Sequence, residues 1–341
     1  MSNLQIGLAI AGALVIAAVM AHGAWVSRRS QPRQAEPESR FGVAYAQDEA
    51  GSASDGEPVL LPLPVMEKKP TLDPLIDVIA PISLDAPIAG EAVLAVMPGT
   101  RRVGSKPFAI EGLNVARQQW EMPVPGQSYD SLLAGVQLAN RSGALNEIEF
   151  SEFVVKTQAF ADAVNGAPEF PDMLHEVARA RELDSFASTH DAQLSVSLRA
   201  RTAAWSPGYV QQNAARVGFV SSGIPGRMLL PASHPGATPL LVLSFDPQAA
   251  LAEDPAQTAI RELNLSLDVA QVERAEQPFV LLREVIRHLA QTMEGLIIDD
   301  DGQPLTEGAM DQIAFELENL YDNLDARELS AGSALARRLF S

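Results

Sequence analysis

The chain has 341 residues and a formal net charge of −18, and it contains no cysteine. The lack of cysteine excludes disulfides, thiolate nucleophiles and Cys-ligated zinc or iron–sulfur centres, and it fits a reducing compartment. The acidic balance argues against nucleic acid as a partner, because a phosphate-binding surface needs a basic face.

An apolar run from Ile6 to Val26 opens the chain, and its first sixteen residues carry no charged side chain. As a helix rising about 1.5 Å per residue, the run reaches roughly 30 Å, which matches the hydrocarbon thickness of a bilayer. The run therefore predicts a transmembrane helix. The residues expected to contact lipid are Ile6, Leu8, Ile10, Leu14, Val15, Ile16 and Val19.

The flanks of this run predict its orientation. No Lys or Arg precedes the run, whereas Arg28 and Arg29 follow it, so residues 1–5 are expected on the periplasmic side and the bulk of the chain in the cytoplasm. Trp25 is placed to rest among the headgroups, with the two arginines just beyond it. A cleaved signal peptide is the alternative, but it would carry a basic segment before the apolar run.

Residues 27–72 are rich in Pro, Gly, Ser and Glu and show no sustained apolar period. Such a composition cannot bury a core, so it predicts a disordered tether. By random-coil scaling the tether has an r.m.s. reach of about 35 to 40 Å.

An α+β unit is predicted over residues 73–188. Short strands are expected at 74–81 and 106–114, and a longer one at 129–140. Asn146 can cap a first helix, and Pro171 opens a second. The second helix is predicted to turn these side chains inward: Leu174, Val177, Leu183 and Phe186.

Residues 189–330 carry clearer signals. Residues 192–200 alternate between apolar and polar side chains, which predicts a strand with one buried face. A helix capped by Ser206 follows, then strands near 219–231, 239–246 and 260–269, a helix over 279–294, a strand over 296–298 and a helix capped by Thr306. The order β-α-β-β-β-α-β-α predicts an α+β fold with a mainly antiparallel sheet and its helices on one face. Residues 331–341 are left as a C-terminal tail.

Three stretches carry a resemblance to a known family. The N-terminal IGLAIAGALVIAAVMAHGAWVSRR, the Pro-rich tether and the run RHLAQTMEGLIIDDDGQPLTEGAMDQIAFELENL together resemble the ZipA family of membrane-anchored, FtsZ-binding bacterial division proteins. The resemblance implies an inner-membrane protein of the division site. It also implies a split β-α-β domain over 189–330, whose exposed sheet face binds the C-terminal tail peptide of FtsZ in a shallow apolar groove. The family tether is long, whereas here it is short, and 73–188 could be a degenerate second copy of the domain.

The positions that the resemblance assigns to the groove are polar in this chain. Four apolar residues, Ile224, Met228, Leu230 and Phe245, remain as candidates for peptide contact. Each could equally be a core residue, because a one-residue change of register turns every side chain to the other face. Either the peptide binds elsewhere, for example between the two halves, or it has fewer apolar anchors. The outward groove positions are Ser195, Ser197, Arg199, Ser244 and Ser266.

Catalytic motifs are missing from the sequence. The five histidines are scattered, and no glycine-rich phosphate loop or G-x-S-x-G elbow is found. The run Asp299-Asp300-Asp301-Gly302 lacks the alternating ligands of a calcium loop. We expect no cofactor, no metal and no enzymatic activity. The expected function is an adaptor that tethers FtsZ to the membrane, and the alternative is a bitopic scaffold for another envelope or cell-wall factor.

Overall fold

The computed structural model describes residues 32–35, 72–234, 237–254 and 257–341. The predicted membrane helix and most of the predicted tether lie outside these residues. Within the described part of the chain, no helix combines the length and apolar character that crossing a bilayer requires. The described residues form two compact units, and the second is continuous from Ala192 to Ser333.

The first unit is an antiparallel sheet with two long helices. Its strands are joined in the order β2-β3-β5-β1-β8, with β4 paired to β3. The elements are β1 (Asp77–Ala89), α1 (Gly90–Ala95), β2 (Arg102–Val103), β3 (Lys106–Asn114), β4 (Trp120–Glu121), β5 (Ser128–Gln137), β6 (Ala139–Asn140), β7 (Gly143–Ala144), α2 (Glu147–Ala163), β8 (Gly166–Pro168) and α3 (Met173–His190).

Helix α2 starts where the sequence predicts. The Asn146 side chain accepts hydrogen bonds from the backbone N–H groups of Ile148 and Glu149, and Glu149 reaches back to the Asn146 N–H, which completes a capping box. In α3, Val177 and Leu183 are buried as predicted. The prediction that Leu174 points inward is wrong, because Leu174 is 68% exposed. Leu174 lies in the first turn, before the buried part of the helix begins at Glu176.

The second unit is a six-stranded antiparallel sheet in the order β10-β11-β12-β13-β9-β14. Helix α6 packs against β14, β13 and β9. The elements are β9 (Gln193–Ala200), α4 (Pro207–Arg216), β10 (Val220–Ser221), β11 (Arg227–Leu230), β12 (Leu241–Ser244), α5 (Pro247–Ala250), β13 (Glu262–Asp268), α6 (Pro278–Thr292), β14 (Gly295–Ile298) and α7 (Glu307–Ala326). This sequence of elements confirms the predicted α+β class and the antiparallel pairing.

The two sheets share one strand order. In the first unit β3-β5-β1-β8 are neighbours, and in the second unit β12-β13-β9-β14 occupy the corresponding places. In the first unit β1 lies between β5, which precedes the long helix α2, and β8, the short strand after that helix. In the second unit β9 lies between β13, which precedes the long helix α6, and β14, the short strand after that helix. The correspondence between the two units is one of strand order.

Two segments differ from the sequence prediction. Residues 334–341, predicted as part of a tail, form α8 (Ala334–Leu339) and belong to the first unit, where Leu339 and Phe340 are buried. Residues 32–35, predicted as part of a disordered tether, lie against the second unit and are called the strap below. Both differences arise from long-range contacts that leave no local pattern in the sequence.

Candidate peptide-binding surface

The strand register fixes which side chains share the outer face of the second sheet. Residues paired across antiparallel strands point to the same side, and successive residues point to opposite sides. Leu198, Leu243 and Leu265 are fully buried on the inner face. One row of the outer face therefore runs across five strands as Val220, Leu229, Val242, Ser266 and Ser195.

The outer face is apolar at one end of this row and polar at the other. Val220, on the edge strand β10, is 52% exposed, and Leu229 and Val242 are half-buried beside it. At the other end, the Asn264 side-chain amide donates to Ser195 Oγ at 2.5 Å. Arg199 forms an ion pair with Glu262 at 3.0 Å on the same face. The apolar end thus offers dispersion contacts, and the polar end uses much of its hydrogen-bonding capacity internally.

A separate cleft of about 420 Å³ lies beside the β10–β11 hairpin. Phe219, Met228 and Phe245 are each less than a tenth exposed and form its floor, whereas Ile224 and Leu251 are 54% and 69% exposed at its rim. Gly226 allows this geometry, because its φ of +72° and its closeness to the Phe245 carbonyl oxygen leave no room for a Cβ.

The predicted contact residues therefore divide between two surfaces. Ser195, Ser197, Arg199, Ser244 and Ser266 share the outer face, as predicted, but Ser197 is only 7% exposed and is thus too buried to serve as a groove contact. Ile224, Met228 and Phe245 line the cleft instead, and Met228 and Leu230 point to the inner side of the sheet, where Leu230 is only 9% exposed. Leu230 is thus a core residue rather than an exposed groove contact.

Sequence reasoning missed the apolar end of the outer face. Leu229 stands between Met228 and Leu230, and Val242 stands between Leu241 and Leu243, so neither strand alternates in polarity. Only pairing to the alternating strand β13 fixes their direction. The pairing of Leu229 with Val220 agrees with this direction, but it is a feature of the fold and leaves no signal in the sequence.

Among the described residues, no group of three or more His, Cys, Asp or Glu side chains is placed to hold a metal ion. Both surfaces are suited to noncovalent binding, since they combine apolar contact area with few ionisable groups. Comparison with known proteins finds no family model that matches this chain and no curated protein with significant similarity to it.

Proposed function

We propose that this protein is a membrane-anchored adaptor of the ZipA type, which binds the C-terminal tail of FtsZ and tethers division filaments to the inner membrane. The apolar segment Ile6–Val26 serves as the anchor, and the second unit binds the tail. The resemblance in the anchor and in residues 287–320 supplies the identity of the partner.

The observation that carries the proposal is the outer sheet face of the second unit. Its apolar row Val220, Leu229 and Val242 ends at β10, the edge strand, where an extended peptide can lie beside the sheet. Three apolar side chains give fewer anchors than a fully apolar groove, so a single tail is expected to bind weakly. Weak contacts suffice for an adaptor, because a filament presents many tails to many anchored copies and the effective concentration is high.

The polar end of the face is expected to contribute little to affinity. Ser195 already accepts a hydrogen bond from Asn264, and Arg199 is paired with Glu262, so a peptide would have to replace bonds rather than add them. We therefore place the tail over Val220, Leu229 and Val242.

The test is binding of a fluorescent synthetic FtsZ tail peptide to the full-length protein in lipid nanodiscs, followed by polarisation. We expect a dissociation constant of tens of micromolar. Val242→Asp introduces a charge into the apolar row and is expected to weaken binding about tenfold, or ~1.4 kcal/mol. The matched control is Val280→Asp on α6, since Val280 is 50% exposed and lies away from the outer sheet face.

A third variant separates the two surfaces. Ile224→Asp alters the rim of the cleft without touching the apolar row. If Ile224→Asp abolishes binding and Val242→Asp does not, the tail binds in the cleft. If the wild-type protein shows no binding at tens of micromolar, the adaptor proposal is wrong.

A bitopic scaffold remains the second candidate, and one feature of the first unit favours it. Ile148 and Val155 on α2 are seven residues apart, which places them on one helix face, and they are 82% and 69% exposed. Such a stripe fits a protein partner. Affinity capture of a division or cell-wall factor that requires Ile148 and Val155, by a protein that does not bind FtsZ tails, would favour this candidate.

A further inference from the structure

The strap, residues 32–35, is held on the second unit by backbone hydrogen bonds. The Arg33 N–H donates to the Ala204 carbonyl at 2.7 Å, and the Ser206 N–H donates to the Arg33 carbonyl at 2.8 Å. Arg33 thus pairs in parallel with Trp205, which pairs on its other side with Ile260. Arg33 therefore forms a single-residue β-bridge to Trp205, beside the bridge between Trp205 and Ile260.

The residues under the strap are rigidly placed. Trp205 is fully buried, and its indole N–H donates to the Met293 carbonyl at 2.9 Å. The Arg33 side chain forms an ion pair with Glu294, which has a left-handed φ of 54° between α6 and β14. Although burial opposes the charge on Arg33, hydrogen bonds with Tyr209 and Glu294 outweigh it and raise the Arg33 pKa. The charged state of the strap is thus favoured.

The position of the strap in the sequence limits how far the second unit can lie from the anchor. Arg33 is the seventh residue after Val26, where the apolar run ends. Even a fully extended chain spans only about 25 Å over this interval. If Ile6–Val26 crosses the bilayer as proposed, the strap keeps one particular edge of the second unit close to the lipid.

That edge is basic in an otherwise acidic protein. Arg201 and Arg261 are exposed. Backbone hydrogen bonds place both at this edge: the Ala200 N–H donates to the Arg261 carbonyl, and the Arg201 N–H donates to the Glu294 carbonyl. The acidic neighbours Glu294 and Glu262 are paired with Arg33 and Arg199. Among the described residues of this edge, Arg201 and Arg261 thus add two positive charges to the ion pairs Arg33–Glu294 and Arg199–Glu262. We call the surface formed by Arg33, Arg201, Thr202 and Arg261 the strap surface.

We propose that the strap surface is a membrane-contact surface that lies on anionic phospholipid headgroups and orients the second unit relative to the bilayer. The inference rests on the proposed membrane anchor, and it adds a lipid-binding role that FtsZ binding does not require. Arginines near a lipid surface are attracted by its negative potential, and the attraction decays within a Debye length. The strap keeps the arginines within reach of that potential.

The experiment uses full-length protein reconstituted in phosphatidylcholine vesicles, with and without phosphatidylglycerol, that contain a lipid with a nitroxide on its headgroup. Because the chain has no cysteine, a thiol-reactive fluorophore attaches to each single-cysteine variant at the introduced cysteine alone. Thr202→Cys reports from the strap surface. Asp301→Cys reports from the turn after β14, which runs away from Ala200 along the sheet. We expect nitroxide quenching to be at least roughly twofold stronger at position 202.

Two further variants test the cause of the orientation. Arg33→Pro removes the N–H that binds Ala204 and the ion pair with Glu294, and it is expected to abolish the difference between the two labels, whereas Arg33→Lys keeps it. Arg261→Glu is expected to reduce quenching at position 202 only with phosphatidylglycerol present, and Arg216→Glu on α4 is the control.

The outcomes separate this inference from the proposed function. Failure of the protein to float with the vesicles overturns the anchor and, with it, the adaptor. Flotation with equal quenching at positions 202 and 301 leaves the anchor intact and overturns the orientation by the strap surface. If quenching differs between positions 202 and 301 and neither Arg33→Pro nor Arg261→Glu changes that difference, the roles given to the strap and to its charges are wrong.

Discussion

Arg338 in the C-terminal helix forms a two-point ion pair with Asp77 at the start of β1, with N–O distances of 2.9 and 2.5 Å. Asp77 is buried, and burial raises its pKa, while the hydrogen bonds and charge of Arg338 oppose that rise. The C-terminal helix therefore supplies the counter-charge for a carboxylate inside the first unit.

Arg338→Met is expected to destabilise the first unit by about 3 to 5 kcal/mol at neutral pH, because it leaves the Asp77 carboxylate buried and unpaired. Urea denaturation followed by circular dichroism measures the loss. The matched control is Arg337→Met, which removes a positive charge from the same helix without touching Asp77. Equal losses in both variants would contradict the role of the ion pair.

The cost of Arg338→Met is also expected to depend on pH. Without Arg338, the pKa of Asp77 rises further above its usual value, so the folded state keeps a proton that the unfolded chain has released. Stability is then lost as pH rises through the folded pKa and recovered as pH falls toward the ordinary Asp pKa of 3.8. The difference from wild type should shrink on acidification, as urea midpoints at several pH values would show.

Lys106 is a buried cation of the first unit. Its Nζ donates to Ser105 Oγ at 2.7 Å and to Asn140 Oδ1 at 3.2 Å, and burial lowers its pKa. A lowered pKa means that the unfolded chain binds more protons, so stability rises with pH above the folded pKa. We expect the wild-type protein to gain stability as pH rises from the folded pKa of Lys106 toward its ordinary pKa of 10.5.

Lys106→Met is expected to remove this gain and to cost little at neutral pH. Asn140 Oδ1 still accepts the Ser142 N–H and Ser105 Oγ still donates to Glu149, so no hydrogen-bonding group is left unsatisfied, although the charge interaction of Lys106 with Glu149 is lost. Lys156→Met on α2, which removes an ammonium that donates to Thr100 Oγ1 at 3.0 Å, is the control. A pH dependence that survives in Lys106→Met would assign the effect to another group.

The sequence predicted the features that repeat along the chain and missed those set by distant contacts. The alternation in β9 identified the outer residues Ser195 and Ser197, and the capping residues Asn146 and Thr306 identified the starts of α2 and α7. In contrast, the strap depends on Trp205, and α8 is held by Asp77, far away in the sequence. The continuous apolar stretches of β11 and β12 concealed the outer face for a different reason, since a run without alternation has no intrinsic direction.

Two glycines of the β10–β11 hairpin allow a matched test of the cleft. Gly223 and Gly226 have positive φ values of 76° and 72°, but an added Cβ meets nothing within 4 Å at Gly223 and lies 2.4 Å from the Phe245 carbonyl oxygen at Gly226. Gly223→Ala is expected to cost about 1 to 2 kcal/mol from the left-handed backbone alone. Gly226→Ala should cost clearly more, because the hairpin must also move off Phe245. Similar unfolding free energies for the two variants would show that the close approach at Gly226 is easily relieved.

Tyr321 on α7 has a buried hydroxyl, and its ring contacts the guanidinium of Arg274. Its Oη has no hydrogen-bond partner among the described residues, and the Arg274 guanidinium lies 5.4 Å from its ring centroid. Burial, with the nearby charge of Glu318, raises the pKa of Tyr321 to about 12. The folded state therefore disfavours the phenolate, so stability is constant below the ordinary Tyr pKa and is lost as pH rises from there through about 12.

Tyr321→Phe is expected to leave stability at neutral pH unchanged or to raise it by up to about 1 kcal/mol, because it removes an unsatisfied polar group and keeps the ring under Arg274. It should also remove the last-titrating phenol from the ultraviolet absorbance titration. Tyr321→Leu is the comparison that deletes the aromatic face as well, and it should be less stable than Tyr321→Phe. A loss of more than about 1 kcal/mol in Tyr321→Phe would mean that the hydroxyl has a hydrogen-bond partner in solution.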